Sequence, residues 1–178
     1  MTVARWHQNP DPRLRESGDT IDTHQRRVAA LCLSLAARMG LPMTGSDLPH
    51  AALHHDEAER VLGDMPGPAK AAFPRLAAAY EEAEREVLAR MGLRWTLTAA
   101  ETRVLKLCDR LDAWQWAMRC DVTGEEWDTA CAEIQRQAWS LGPDAAAWLA
   151  EEMAIKTSDA CITAQDAAKV RAILEGKV

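Results

Sequence analysis

Apolar residues recur at steps of three and four through most of this chain, most clearly at Val28, Leu31, Leu35 and Met39, which share one face of a helix. That pattern predicts a helix from about Thr20 to Met39, closed by Gly40 with Pro42 beyond. His24, four before Val28, lies on the core side of it. Ser46 is a good N-cap for a second helix running through Leu62 and ending at Gly63. Asp64-Met65-Pro66-Gly67-Pro68 reads as a stiff loop. A third helix is predicted from near Pro74 to Gly92. Thr98 and Glu101 form a capping box that opens a helix toward Val122. Further helices are predicted over about Gly124–Ser140, Pro143–Ile155 and Thr163–Leu174, while residues 1–18, with Pro10, Pro12 and Gly18, read as mostly loop. No segment sustains an alternation of period two, so the expected fold class is all-α, with no strands.

Composition agrees. Strong helix formers dominate, and the chain holds one Tyr and one Phe. Its 178 residues suffice for one domain with a real core. The net charge of -6 argues against a nonspecific nucleic-acid binder, although local Arg and Lys can still hold phosphate. Five cysteines with no CxxC pair are expected to be buried reduced thiols. With no signal-like run and no stretch near the roughly 20 apolar residues of a membrane span, a cytoplasmic location is expected.

The doublet His55-Asp56 carries the chemistry. The two side chains can ligate a divalent metal only if other helices bring more ligands, and His24 in THQRRVA and Asp109 in LKLCDRLDAW are the plausible ones. Two His and two Asp suit an M²⁺ ion that activates water and polarises a phosphoryl oxygen. Glu59, three after Asp56 and four after His55, shares their face on a continuous helix and is the candidate acid/base. Asp64 can position water or a substrate hydroxyl. Arg5, Lys70 and Arg110 are candidate phosphate cations, and Trp6 offers a face to a sugar or base. Lys70 reads equally well as a surface lysine. His50 and His54 form an i, i+4 pair with nothing else organised around it, and His7 reads as a surface or pocket residue. Asp112 is a spare ligand or the partner of Arg110, another neighbouring cation or a helix end. Trp114, Trp116, Trp127, Trp139 and Trp148 suit core or subunit packing, and Glu81 to Glu86 a solvated face.

The order H…HD…D is similar to that of the HD-domain metal phosphohydrolases, and GDMPGPAK narrows the resemblance to the HD 5'-deoxynucleotidase family. Arg5-Trp6, His24, His55-Asp56, Glu59, Gly63-Asp64, Pro66, Pro68, Lys70 and Asp109 match the family's pattern in order, over roughly residues 5–115. The resemblance implies that His24, His55, Asp56 and Asp109 are metal ligands, Glu59 the catalytic acid/base, and Arg5, Trp6 and Asp64 substrate contacts. Thr23 stands where the family usually has Glu, and His7 where a Pro is common. The Arg13–Thr20 segment looks more like phage-encoded members, some of which act on dNTPs.

The expectation is therefore one HD domain over residues 1–178, its motifs within about 5–115 and additional helices over about 124–175. It would need a divalent ion (Mn, Co, Mg, Zn, Fe or Ni) and hydrolyse deoxyribonucleoside 5'-monophosphates. The alternatives are a dATP/dNTP triphosphohydrolase and, further off, a non-catalytic nucleotide-binding protein. The partners expected are a small nucleotide and further copies of the chain, with neither a nucleic-acid polymer nor a membrane.

Overall fold

The computed structural model describes residues 3–157, all of whose regular elements are helices. They are α1 (Pro12–Arg15), α2 (Ile21–Arg38), α3 (Leu48–His54), α4 (Glu59–Leu62), α5 (Gly67–Ala72), α6 (Pro74–Arg90), α7 (Ala99–Arg119), α8 (Glu125–Leu141) and α9 (Pro143–Thr157). The helix expected over Thr163–Leu174 lies outside the described residues, as does Cys161.

Helix starts follow the capping chemistry. Thr98 accepts from Glu101 N at 3.2 Å while the Glu101 carboxylate accepts from Thr98 N at 2.7 Å, the reciprocal pair that the sequence predicts. At α2, Thr23 completes the same box with Thr20, its hydroxyl accepting from Thr20 N at 3.1 Å. The Thr that departs from the family's Glu at this position therefore still satisfies the helix end. Gly40 closes α2 with φ 65°, a left-handed conformation suited to glycine.

α2, α3, α7, α8 and α9 enclose the main core. Val28, Cys32 and Leu35 of α2 meet Val104, Leu107, Cys108 and Leu111 of α7, all of them fully buried, with Leu48 and Ala52 on one side and Ile134, Trp148 and Leu149 on the other. Burying each such aliphatic side chain contributes about 1.5–3 kcal/mol, so α2 and α7 form the rigid pair on which the site is mounted. Trp148 is buried with its indole N–H on Ser34 Oγ at 2.9 Å. Trp114 is also buried, but Trp116 and Trp127 are half-buried and Trp139 is exposed. Cys32 and Cys108 are buried thiols, whereas Cys120 and Cys131 are partly exposed.

Two local expectations are corrected. The helix predicted from Ser46 to Leu62 is two helices, α3 and α4, separated by a turn over 55–58, so His55 and Asp56 are turn residues. The N-cap of α3 is Asp47 rather than Ser46, although Ser46, one residue earlier, accepts from Leu48 N at 3.1 Å. The proline loop is shorter than expected, because Gly67 and Pro68 begin α5; proline in a first helical turn leaves no hydrogen bond unmade. The leading segment is mostly loop, as expected, and includes the short α1, capped by Asp11, with Leu14 buried against Ala117 and Val122. The same segment runs back along the start of α2 through an isolated bridge between Ala4 and Thr20, with Arg5 N on Asp19 O and Ile21 N on Val3 O at 3.1 Å each. That bridge carries Arg5 and Trp6 to the site.

Candidate active site

Four expected residues meet where α2, the turn after α3, and α7 converge. The ligand atoms of His24, His55 and Asp109 all lie within 4.8 Å of one another. His24 Nε2 stands 3.2 Å from both Asp56 Oδ2 and Asp109 Oδ1. His55 Nε2 stands 3.3 Å from Asp56 Oδ1 and 3.8 Å from Asp109 Oδ1. Yet neither Nε2 has a hydrogen-bond partner, although both are buried.

The opposite ring nitrogens explain this. His24 Nδ1 lies 2.8 Å from Asp112 Oδ2, and His55 Nδ1 2.9 Å from the carbonyl of Ala52. Each acceptor fixes the proton on Nδ1 and leaves the Nε2 lone pair facing the carboxylates. Lone pairs facing carboxylate oxygens repel unless a cation lies between them. The donor set, two imidazoles and two carboxylates, suits a divalent ion.

The broken helix has a physical cause in Gln25, which is buried beside His24. With its amide oriented to satisfy both ends, its oxygen accepts from Asp56 N and Glu57 N at 3.2 Å each, and its nitrogen donates to Leu53 O at 3.0 Å. Those bonds replace helical ones and turn His55 and Asp56 toward α2. Arg60 ties the same turn to α2 through Asp22 at 2.8 Å and holds Glu57 at 2.6 Å.

A cleft of about 360 Å³ opens over this cluster, lined by Arg5, Trp6, Glu59, Asp64, Lys70, Glu84 and Arg110 together with His55, Asp56 and Asp109. Asp64 follows Gly63, whose φ of 76° and ψ of 163° fall where essentially only glycine is found. The Tyr80 hydroxyl donates to the Gly63 carbonyl, anchoring that bend to α6. Arg5 is 12% exposed, 3.5 Å from Asp109, and stacked on Trp6 with its guanidinium carbon 4.7 Å from the ring centre. Lys70 sits with its ammonium 5.5 Å from the Tyr80 ring. Arg110 also pairs with Glu133 at 3.6 Å.

Charges crowd this cleft. Burial and Arg5 push the His24 pKa down, but the carboxylates of Asp109, Asp112 and Asp56 outweigh them and raise it to about 10. His55 is also raised, with Asp56 and Asp109 overcoming its burial. Asp109 falls well below the usual carboxylate range, because its contacts with the two imidazoles outweigh burial. Glu59 moves the other way, to about 9, through burial and the negative charges of Asp56 and Asp64. Asp64 and Glu84 are likewise raised, burial being the largest cause for each.

Some of the remaining residues stand where the sequence reading put them and others do not. Asp112 pairs with a cation, as one of its readings had it, but that cation is Arg27, at 2.7 Å, with His24 as its other partner, while Arg110 faces Glu133. Glu84, within the charge run assigned to solvent, lines the cleft. Trp127 packs against both apolar clusters, as expected, and also stands 6.2 Å from Trp6 in an edge contact and lines an adjoining cleft of about 400 Å³. His7 is exposed, with Nδ1 3.0 Å from the Ala4 carbonyl. His50 and His54 stack on each other at 4.8 Å, and His50 stands 5.9 Å from Trp95, outside the cluster. Asp19, Gln25, Arg27 and Glu84 were missed. Only Arg27 had a local signal, three residues after His24 as Asp112 is after Asp109.

A model of the 5'-deoxynucleotidase YfbR-like family matches residues 2–154. No curated protein and no solved structure matches the chain.

A divalent ion held by this group would compete with the proton on His24 for one place, and a pH dependence follows. With a folded pKa of about 10 against 6.5 for the free group, His24 stabilises the metal-free fold fully below about pH 6.5 and loses that contribution as pH rises through 10. Glu59, raised from 4.5 to about 9, acts with the same sign over its own window. The melting temperature in EDTA is therefore expected to fall between pH 7 and 10, and Mn²⁺ to restore most of the loss. Coincident melting curves with EDTA and Mn²⁺ at pH 9 would contradict this.

Proposed function

The chain belongs to the YfbR-like 5'-deoxynucleotidase family, and from that premise we propose that it is a metal-dependent phosphohydrolase converting deoxyribonucleoside 5'-monophosphates to deoxynucleoside and phosphate. The observation that carries the proposal is the convergence of the partnerless His24 and His55 Nε2 atoms on Asp56 and Asp109 beneath the cleft. In this proposal His24, His55, Asp56 and Asp109 hold the divalent ion, with Mn, Co, Mg, Zn, Fe and Ni all compatible with the donors. When bound, such an ion supplies Lewis acidity toward a phosphoryl oxygen and lowers the pKa of water.

The remaining roles belong to the chain itself. Glu59 takes a proton from the attacking water and returns one to the 5'-oxygen as the bond from phosphorus to that oxygen breaks. Its raised pKa in the metal-free site fits the proton-donating half of that role, and the positive charge of a bound ion would lower it toward the carboxylate form that takes the first proton. Arg5 and Lys70 balance the phosphate charge from two sides of the cleft. Asp64, held at the Gly63 bend, accepts from a sugar hydroxyl, and Trp6 offers its face to the sugar or base.

The adjoining cleft favours a monophosphate over the triphosphate alternative. It shares Arg5, Trp6, Asp64 and Gly67 with the first, and its further charged lining residues are Asp11, Glu125 and Glu126. Arg5 is its one lining cation among four carboxylates, of which Asp11 is paired with Arg13 at 2.7 Å, so β- and γ-phosphates would meet repulsion from Glu125 and Glu126, whereas an uncharged nucleoside beside the edge-packed Trp6 and Trp127 would not. The same proposal takes the chain as a single domain and a homo-oligomer, for which Trp139, 48% exposed on α8, is an available contact. A cytoplasmic location completes it; no helix among the described residues is long and apolar enough to cross a membrane.

Product analysis tests the reaction. Protein loaded with Mn²⁺, Co²⁺ or Mg²⁺ is expected to release phosphate from dAMP and to leave dATP intact. Release of triphosphate and deoxyadenosine from dATP, with dAMP untouched, would reject the monophosphate assignment. For the proton carrier, Glu59→Gln is expected to keep metal affinity and lower kcat by about 10²–10⁴-fold. A near-normal kcat would remove Glu59 from the reaction.

A further inference from the structure

We infer that Arg27 is a positioning residue that fixes both ends of this site at once, the imidazole of His24 through Asp112 and the indole of Trp6 through Asp19. The inference rests on the metal-dependent reading above. Arg27 Nε donates to Asp112 Oδ1 at 2.7 Å and Nη2 to Asp112 Oδ2 at 2.9 Å, a two-point grip that sets the plane of the carboxylate. The same Oδ2 stands 2.8 Å from His24 Nδ1. Arg27 Nη2 also reaches both oxygens of Asp19 at 3.0 Å, and Asp19 Oδ2 accepts the indole N–H of Trp6 at 3.1 Å. One guanidinium therefore lies between a proposed ion ligand and a proposed substrate-facing aromatic.

Both carboxylates need it. The side chains of Asp19 and Asp112 are 0% and 2% exposed, so water cannot replace a lost partner. Arg5 lies 4.0 Å from each, beyond hydrogen-bond reach. Arg27 is in turn packed on the Trp116 ring at 4.4 Å, and the Trp116 indole is held by Ser17 at 2.9 Å. A lysine would supply the charge without the planar fork, and so could not fix the Asp112 plane and reach Asp19 together. The sequence spacing fits: His24 and Arg27 on α2, and Asp109 and Asp112 on α7, are each three residues apart, which places the two pairs on facing sides of packed helices.

The experiment titrates the metal-free full-length chain with Co²⁺, follows the visible spectrum of the bound ion, and measures dAMP kinetics at saturating Co²⁺. Arg27→Met is expected to weaken Co²⁺ binding by about 10–100-fold, the usual effect of losing an outer partner of a ligating His, and to raise KM for dAMP. Asp112→Asn should move Co²⁺ affinity and leave KM alone, whereas Asp19→Asn should raise KM and leave Co²⁺ affinity alone. Arg27→Lys, which keeps the charge, should fold with the wild-type circular dichroism spectrum yet not recover Co²⁺ affinity. That variant and the two Asp variants carry the test should Arg27→Met fail to fold. Wild-type Co²⁺ affinity and KM in a folded Arg27 variant would overturn the inference, as would Asp112→Asn and Asp19→Asn moving the same parameter. Absence of Co²⁺ binding by the wild-type chain would instead overturn the metal reading, and this inference with it.

Discussion

Two imidazole lone pairs held against two carboxylates make an arrangement that repels itself until positive charge enters it, and the surrounding structure serves to keep it in place. Asp112 and the Ala52 carbonyl hold the protons of His24 and His55 on the far side of each ring. Gln25 bends the chain so that His55 and Asp56 face α2 rather than continuing along α3. The buried contact of α2 with α7 sets the distance at which Asp109 joins them. Without the apolar packing, this polar cluster would separate into water; with it, the cluster binds either protons or a cation.

Much of this was legible in the chain because the signals are local. Thr98 with Glu101, Gly40 after Met39, and the three-and-four spacing of Val28, Leu31 and Leu35 each act within a turn or two, and α2, α6, α7, α8 and α9 lie close to where they predict. The four proposed ligands were likewise found by their order. What failed is what depends on tertiary contact. The apolar period from Ser46 to Leu62 looks continuous, since the residue that interrupts it, Gln25, lies on another helix. Glu84 sits in a run of charges whose composition signals solvent, and only the fold turns that one member into the cleft. The short α5 was missed through weighing Pro66 and Pro68 as breakers, although a proline also suits a first helical turn.

The charge distribution gives the site a direction. Over the cluster, Arg5, Lys70 and Arg110 stand among the acids, whereas the adjoining cleft is acidic apart from Arg5 and is flanked by Trp6 and Trp127. A ligand with one compact anionic end and one uncharged aromatic end complements that layout. Arg5, Trp6 and Asp64 line both spaces, which is where the ester oxygen of such a ligand would lie.

Anomalous diffraction from crystals grown with Mn²⁺ or Co²⁺ tests the central claim most directly. The account predicts one strong peak about 2.0–2.3 Å from His24 Nε2, His55 Nε2 and the carboxylates of Asp56 and Asp109. A peak at the His50–His54 pair instead, or none beneath the cleft at saturating metal, would contradict it.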